Sequence, residues 1–171
     1  EIFVEKYDLN GDPIWEEPLL VVGPTSFPMG NFSQQLIPAF GGGIFVAWTE
    51  LTGNVQNALI QSIADEGLLI WDGGIDLSEN SNNFRISPML AIAENSHEVM
   101  AVWKEANGSQ SQRGVFAQRI DSAGTRLWGE SGLEVVAMNS NSDYLDINIS
   151  SFGDDMIVTY LEQSSNMSGE I

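Results

Sequence analysis

Acidic side chains dominate the chemistry that this chain could do. The 171 residues hold 24 Asp and Glu against six Lys and Arg, a formal net charge of -18. Three close carboxylate pairs stand out, Asp154 with Asp155, Asp143 with Asp146, and Glu16 with Glu17. A glycosidase needs two carboxyl groups held about 5–9 Å apart in a cleft. Nothing in the spacing places any of these pairs in a cleft, so the sequence assigns no catalytic residue.

Two further segments have side chains of the kind that bind metals. Asp8-Leu9-Asn10-Gly11-Asp12 has oxygen donors at alternate positions, as a calcium loop begins, but the later Glu ligand is missing. A hairpin turn is the favoured interpretation, because Asp, Asn and Gly populate turns. His97 is the only histidine and Cys is absent, so neither a zinc site nor a Ser-His-Asp triad can be argued. We therefore expect no metal and no cofactor.

Composition limits the classes of partner. The strong negative charge repels nucleic acid and anionic lipid, so we expect no nucleic-acid partner. No apolar run approaches the roughly 18 residues of a membrane span, so no membrane insertion is expected. The absence of cysteine argues against a small scaffold held by disulfides.

An internal repeat is the strongest signal in the chain. Trp15, Trp71 and Trp128 are 56 and 57 residues apart, and each follows a Gly by four positions. A second aromatic stands 32 or 33 positions after each of them, and an acid follows it by two positions. The second aromatics are Trp48, Trp103 and Tyr160, and the acids are Glu50, Glu105 and Glu162. The period predicts three units, at about 1–54, 55–111 and 112–169.

Each unit reads as four short strands. The second strand (IFVAW, VMAVW or MIVTY) is apolar throughout, which indicates a strand buried on both faces. The third and fourth strands are joined by a turn containing Gly, typical of a tight hairpin. No segment has a helical apolar stripe. We therefore predict an all-β fold: three four-stranded antiparallel blades of a β-propeller, with 1–171 part of one propeller domain. A β-sandwich is the alternative.

The repeated aromatics are expected to pack the fold. Trp48, Trp103 and Tyr160 should lie buried between sheets, since recurrence at matching positions is typical of packing between repeats. Ligand contacts are expected instead in loops that do not repeat. These are the linkers from the fourth to the first strand (Phe27 to Gln35, Ser78 to Arg85, Asn139 to Asp143) and the loops from the second to the third strand (Glu105 to Arg113, Gln163 to Gly169).

The stretch FAQRIDSAGTRLWGESGLEVV, with the "VAW-x-E" type of strand, resembles the repeats of large secreted bacterial (Bacteroidetes-type) β-propeller proteins of mostly unassigned function. The first unit departs from the pattern by adding Pro13 and a longer linker, and the third by replacing the inner Trp with Tyr160. The resemblance implies a non-catalytic module, extracellular or at the cell surface, with the periplasm as an alternative. Such a module would bind a protein or carbohydrate ligand, or act as a scaffold. A carbohydrate-active enzyme domain (glycoside hydrolase or lyase) and a sensor ectodomain are the alternatives.

The phase of the repeat predicts open sheet edges. The chain opens on a third strand and closes after a second strand, so its two end segments are complementary halves of one unit. Propellers have about four to eight blades, so three units would not close a ring. Either the chain is part of a longer one, or two copies close head to tail. We expect Ile2-Phe3-Val4 to pair with Met156–Tyr160 of another copy or with a neighbouring blade of the parent protein.

Overall fold

The computed structural model describes residues 1–24, 31–80 and 82–164. These residues form twelve β-strands and one short 3-10 turn, Phe40–Gly42. The strands are β1 (Ile2–Val4), β2 (Leu19–Val22), β3 (Asn31–Pro38), β4 (Ile44–Thr52), β5 (Val55–Ile63), β6 (Ile75–Asp76), β7 (Phe84–Ile92), β8 (Val99–Ala106), β9 (Arg113–Ile120), β10 (Leu133–Asn139), β11 (Ser142–Phe152) and β12 (Asp155–Ser164). The prediction of an all-β fold is confirmed. Within the described ranges, no helix is long and apolar enough to cross a membrane.

The strands form four antiparallel sheets. Sheets of four strands, β3-β4-β5-β6 and β7-β8-β9-β10, lie between two-stranded sheets, β1-β2 and β11-β12. The structure therefore has two four-stranded sheets rather than three. The remaining four strands are divided between the ends, because β1 and β2 have the sequence of third and fourth strands while β11 and β12 have that of first and second strands.

Apolar runs form the inner strands, as their sequence predicts. In β4 and β8 nearly every residue of the run is buried, since both faces of the strand are covered. The pairing is the same in both sheets: Trp48 lies opposite Leu59, and Trp103 lies opposite Phe116. The two four-stranded sheets therefore have the same strand pairing at the inner Trp.

A bulge at a matching place in each first strand is not apparent from the sequence. Ser33, Ser87 and Asp146 have φ of 54°, 55° and 48°, and the pairing register shifts there in all three strands. Side chains rarely adopt this backbone, and bulges commonly re-aim a strand. The bulge at Ser87 is held from outside its sheet, because its N–H donates to Thr49 Oγ1 of the preceding sheet at 2.9 Å.

The core consists of three apolar layers, one between each pair of successive sheets. Trp48 and Trp103 are 2% and 0% exposed, which confirms that they are core residues. The same prediction for Tyr160 is wrong, since its side chain is 41% exposed. In the four-stranded sheets the matching indole is covered by the fourth strand: the Cη2 atoms of Trp48 and Trp103 lie close to Gly74 and Gly132. In the described chain, β12 pairs only with β11, so that cover is missing over Tyr160.

Candidate functional site

The connections in which the units differ lie at one edge of the sheets. Because the strands of each unit meander, the turns from second to third strand and the linkers from fourth to first strand meet at the same edge. We call this edge, formed by residues 52–55, 77–80, 82–83, 107–112 and 140–141, the loop edge. The predicted ligand loops 27–30, 165–169 and Ser81 lie outside the described residues.

A buried arginine anchors the loop edge. Arg85 lies near the start of β7 and is 1% exposed. Its Nη1 donates to the carbonyl oxygen of Asn80 and its Nη2 donates to Oδ1 of Asn57. Nη2 also lies 3.7 Å from Oδ2 of Asp76, while Nε has no hydrogen-bond partner among the described residues. One guanidinium therefore joins the linker between two sheets to the sheet that precedes it.

The carboxyl group of Asp76 is perturbed by this environment. Burial raises its pKa, and the guanidinium of Arg85 and the N–H of Ser78 offset only part of that effect. The negative charge of Glu50 raises the pKa further. Asp76 is thus a carboxyl group with increased affinity for a proton, a property that general acids share.

The acids that follow Trp103 and Tyr160 each hold a neighbouring segment at the loop edge. Glu105 is 1% exposed and accepts hydrogen bonds from Trp103 Nε1 at 2.9 Å and from Asn83 Nδ2 at 2.7 Å. Glu162 accepts a hydrogen bond from Ser142 Oγ at 2.6 Å. These bonds give Glu105 and Glu162 a structural role, because each acid ties its strand to the start of the adjacent first strand.

A second charged group occupies the junction of β8, β9 and β11. Asp143 accepts a hydrogen bond from Lys104 Nζ and lies 3.6 Å from Arg113 Nε. Burial pulls the pKa of Asp143 upward, but Lys104, the N–H of Tyr144 and the charge of Arg113 together hold it below the usual value. Of the two carboxylates paired in the sequence, Asp143 belongs to a cation–carboxylate cluster, and Asp146 is the bulge residue of β11.

The predicted calcium-like segment is a hairpin turn. Oδ1 of Asp8 accepts the N–H groups of Asn10 at 2.8 Å and Asp12 at 2.9 Å, and Gly11 has a φ of 89°. The carboxylate is therefore engaged with its own turn, and these backbone hydrogen bonds lower its pKa.

The remaining predicted groups lie at the opposite edge or on the surface. His97 has a φ of 62°, and its ring stacks on Phe40 with the centroids 3.7 Å apart. Oδ1 of Asp154 accepts the N–H groups of Asn95 and Ser96, so it caps the turn between β7 and β8 and its pKa is lowered. Glu16 and Glu17 are exposed. The described residues contain no group of three or more His, Asp or Glu side chains that could hold a metal ion.

The sequence places Arg85 at the end of a predicted ligand loop but indicates no role for its side chain, and it does not single out a pair of buried glutamines. Trp15, Trp71 and Trp128, which recur every 56 or 57 residues, are called the outer Trp residues. Gln61 and Gln118 each join the third and fourth strands of a sheet through the backbone of an outer Trp. The N–H groups of Trp71 and Trp128 donate to their Oε1 atoms at 3.1 and 2.9 Å. Their recurrence ten residues before the Trp was a usable signal. Arg85 had only a weak one, as one of six cations in an acidic chain.

Comparison with known proteins gives no match to this chain among family models, curated proteins or solved structures.

Proposed function

We propose that the chain is a β-propeller segment that acts, outside the cell or at its surface, as a non-catalytic binding or scaffolding module. Support for the propeller comes from a contact repeated between successive sheets. Trp15 Nε1 donates to the carbonyl oxygen of Asp65 at 3.1 Å, and Trp71 Nε1 donates to that of Ser122 at 3.2 Å. Each Trp also lies against the hairpin glycine of the next unit, Gly67 or Gly124. Contacts that repeat with the period of the chain are typical of blades and not of a sandwich.

The approach of the sheets to one another also supports blades. The second four-stranded sheet approaches the first mainly through its first strand, since β7 lies against β3, β4 and β5. The last sheet repeats this, with β11 lying against β7, β8 and β9. Contacts of this kind would place the first strands nearest a central axis, which supports an arrangement of the sheets as propeller blades.

The loop edge carries the proposed binding function. Arg85, Asp76 and Asn57 form a rigid base, and exposed polar tips project beyond it. The tip Asn107–Gln112 is itself ordered, because Oδ1 of Asn107 accepts the N–H groups of Ser111 at 2.8 Å and Gln112 at 3.1 Å. Preorganised loops on a rigid scaffold bind with a smaller loss of conformational entropy. This edge suits a polar ligand, a carbohydrate or a protein surface.

The pairing of charges at the loop edge supports binding rather than turnover. The buried and partly buried charges at the loop edge are paired within the protein, Asp76 with Arg85 and Asp143 with Lys104 and Arg113. The placement outside the cell follows from the resemblance of the repeats to secreted bacterial propeller proteins.

The proposal is tested by screening the chain against a glycan array and against cell-surface protein extracts. The variant Ser109→Ala/Gln112→Ala changes exposed residues of the loop edge, and the matched control Glu66→Ala/Glu94→Ala changes exposed residues of the opposite edge. We expect the first variant to lose binding and the control to retain it. Loss of binding in the control alone would overturn the assignment of the loop edge.

A carbohydrate-active enzyme is the second candidate, and the raised pKa of Asp76 is the observation that favours it. A glycosidase protonates its leaving group with such a carboxyl group while a second carboxylate acts nearby. Glu50, whose charge is felt at Asp76, would be that second group. Incubating the chain with polysaccharides and measuring reducing ends tests this. Release of sugar that Asp76→Asn abolishes would replace the non-catalytic proposal.

A further inference from the structure

The two half-sheets leave apolar side chains uncovered on strands whose counterparts are buried. Tyr160 and Ile157 on β12 are 41% and 51% exposed, and Phe3 on β1 is 54% exposed. The counterparts of the β12 residues in β8, Trp103 and Met100, are fully buried. We propose that β12 of one copy pairs with β1 of a second copy, so that two chains close head to tail into one ring. This inference rests on the proposed propeller architecture.

The register of the junction follows from the intact sheets. Trp48 lies opposite Leu59 and Trp103 lies opposite Phe116, in each case twelve residues before the outer Trp of the next unit. The residue twelve positions before Trp15 is Phe3. Tyr160 of one copy therefore lies opposite Phe3 of the second copy, as Trp103 stacks on Phe116 with centroids 6.3 Å apart.

Side-chain size at this junction is complementary. In the intact sheets a glycine directly before the fourth strand lies against the inner Trp: a Cβ on Gly132 would lie 2.8 Å from Cη2 of Trp103, and one on Gly74 would lie 3.2 Å from Cη2 of Trp48. These glycines follow the outer Trp by three or four residues. At those positions after Trp15 the chain has Pro18 and Leu19, which are larger, and here the inner aromatic is the smaller Tyr160.

Charge varies in the same way. In the second intact sheet Arg119 pairs with Glu98, and in the first the corresponding residues are Ser62 and Gly43, which carry no charge. At the proposed junction the corresponding residues are Lys6 of one copy and Asp155 of the other, again a cation and an acid. Within its own chain Lys6 also contacts Asp65, so the ammonium group would lie between two carboxylates.

The contact between an outer Trp and the hairpin glycine of the next unit is incomplete at both ends of the described chain, and the two ends are complementary. Trp15 lies against Gly67 and Trp71 lies against Gly124, which leaves Trp128 without a hairpin glycine among the described residues. Gly11 has the same hairpin conformation, with a φ of 89°, and a Cβ there would meet nothing within 4 Å. In the dimer, Trp128 of one copy packs on Gly11 of the other.

Side-chain size, charge and the Trp–glycine contacts are all complementary between the two ends. They identify the partner of β12 as a second copy of this chain, because each change on β12 has a complementary change on the β1–β2 segment. Each copy has two four-stranded sheets and two half-sheets. Two copies with two identical junctions give six four-stranded sheets, within the range of about four to eight blades that closes a propeller.

Disulfide trapping tests the register directly, because the chain has no cysteine. The register places Val4 opposite Thr159 of the second copy, as Ile60 lies opposite Ala47. In the double variant Val4→Cys/Thr159→Cys the Cα atoms of the two cysteines lie within the range of about 4.4–6.8 Å that a disulfide spans. We expect oxidation to give a covalent dimer of twice 18.7 kDa. The control Val4→Cys/Val158→Cys is one residue out of register and should remain uncrosslinked.

A second pair of variants tests the size match without cysteine. Tyr160→Trp should weaken the dimer by about tenfold or more, because the larger indole would overpack the contact with Pro18 and Leu19 of the second copy. Adding Pro18→Gly should restore the dimer, as in the Trp–Gly pairs of the intact sheets. Gly11→Ala should weaken the dimer at the Trp128 junction. Circular dichroism confirms folding of each variant.

Sedimentation equilibrium decides between the occupants. The inference would be overturned if the unsubstituted chain stayed monomeric at its highest soluble concentration. It would also be overturned if the chain formed polymers in place of a closed dimer. Crosslinking of the out-of-register control would overturn the register. A monomer that still binds its ligand through the loop edge would leave the proposed function intact, and a dimer without such binding would remove only the proposed function.

Discussion

Trp71 lies so close to Gly124 that a Cβ on the glycine would stand 3.2 Å from the indole ring. The indole N–H reaches two residues further back in the same turn and donates to the carbonyl oxygen of Ser122 at 3.2 Å. Trp15 and Gly67 repeat the contact one unit earlier. Packing between units therefore depends on a residue without a side chain at the hairpin turn.

Gly124→Ala should destabilise the chain by about 2–4 kcal/mol. A left-handed backbone costs an L-residue about 1–2 kcal/mol, and the contact with Trp71 adds an overpacking cost of similar size. Gly53→Ala is the matched control, since Gly53 has a φ of 64° with nothing within 4 Å of a Cβ. It should show only the backbone cost. Equal losses for the two variants in urea unfolding would show that the contact with Trp71 contributes nothing.

Trp103→Ala should cost about 3–5 kcal/mol, the usual loss for a large aromatic side chain in a core. Its indole is fully buried and donates a hydrogen bond to Glu105. Phe152→Ala, at a position 75% exposed, should change the free energy of unfolding by less than about 0.5 kcal/mol. Urea melts monitored by circular dichroism give both values. A loss below about 1 kcal/mol for Trp103→Ala would place this residue outside the core.

Arg85→Ala should destabilise the chain by about 3–5 kcal/mol, because it leaves the partly buried Asp76 and Asn57 without their partner. Arg113→Ala removes a partly exposed cation 3.6 Å from Asp143, and its loss should be about 1 kcal/mol or less. The comparison is made by thermal unfolding at neutral pH. If both variants lost the same stability, Arg85 would not be the anchor of the loop edge.

Asp76→Asn and Asp143→Asn should change the pH dependence of stability in opposite directions. The pKa of Asp76 is raised, so its ionisation costs the folded state stability as pH rises from about 4, and removing it makes the variant relatively more stable at neutral pH. The pKa of Asp143 is lowered, so its stabilisation is present above about pH 4 and lost as pH falls further. Removing it makes that variant relatively less stable at neutral pH. If urea melts between pH 3 and 7 gave shifts of the same sign for the two variants, the assignment for the variant with the unexpected sign would be contradicted.

The sequence predicted the strands well because their determinants are local and periodic. The apolar runs that became β4 and β8 and the glycines before Trp15, Trp71 and Trp128 depend on residues near one another in the chain. The site was beyond reach because Arg85 meets Asn57, 28 positions away, only once two sheets face each other. The bulges at Ser33, Ser87 and Asp146 share no residue type that would predict them. Tyr160 was misjudged because its cover depends on strands that do not pair with β12 within the described chain.

If the half-sheets β1–β2 and β11–β12 of two copies form one four-stranded sheet, amide hydrogen exchange along β12 reports it directly. Amides of β12 that bond to β11 should be protected at every protein concentration. The alternate amides face the open edge, and they should become protected at high concentration and lose protection on dilution, together with the amide of Phe3. Rapid exchange of the edge amides at all concentrations, with β11–β12 otherwise intact, would contradict the claim.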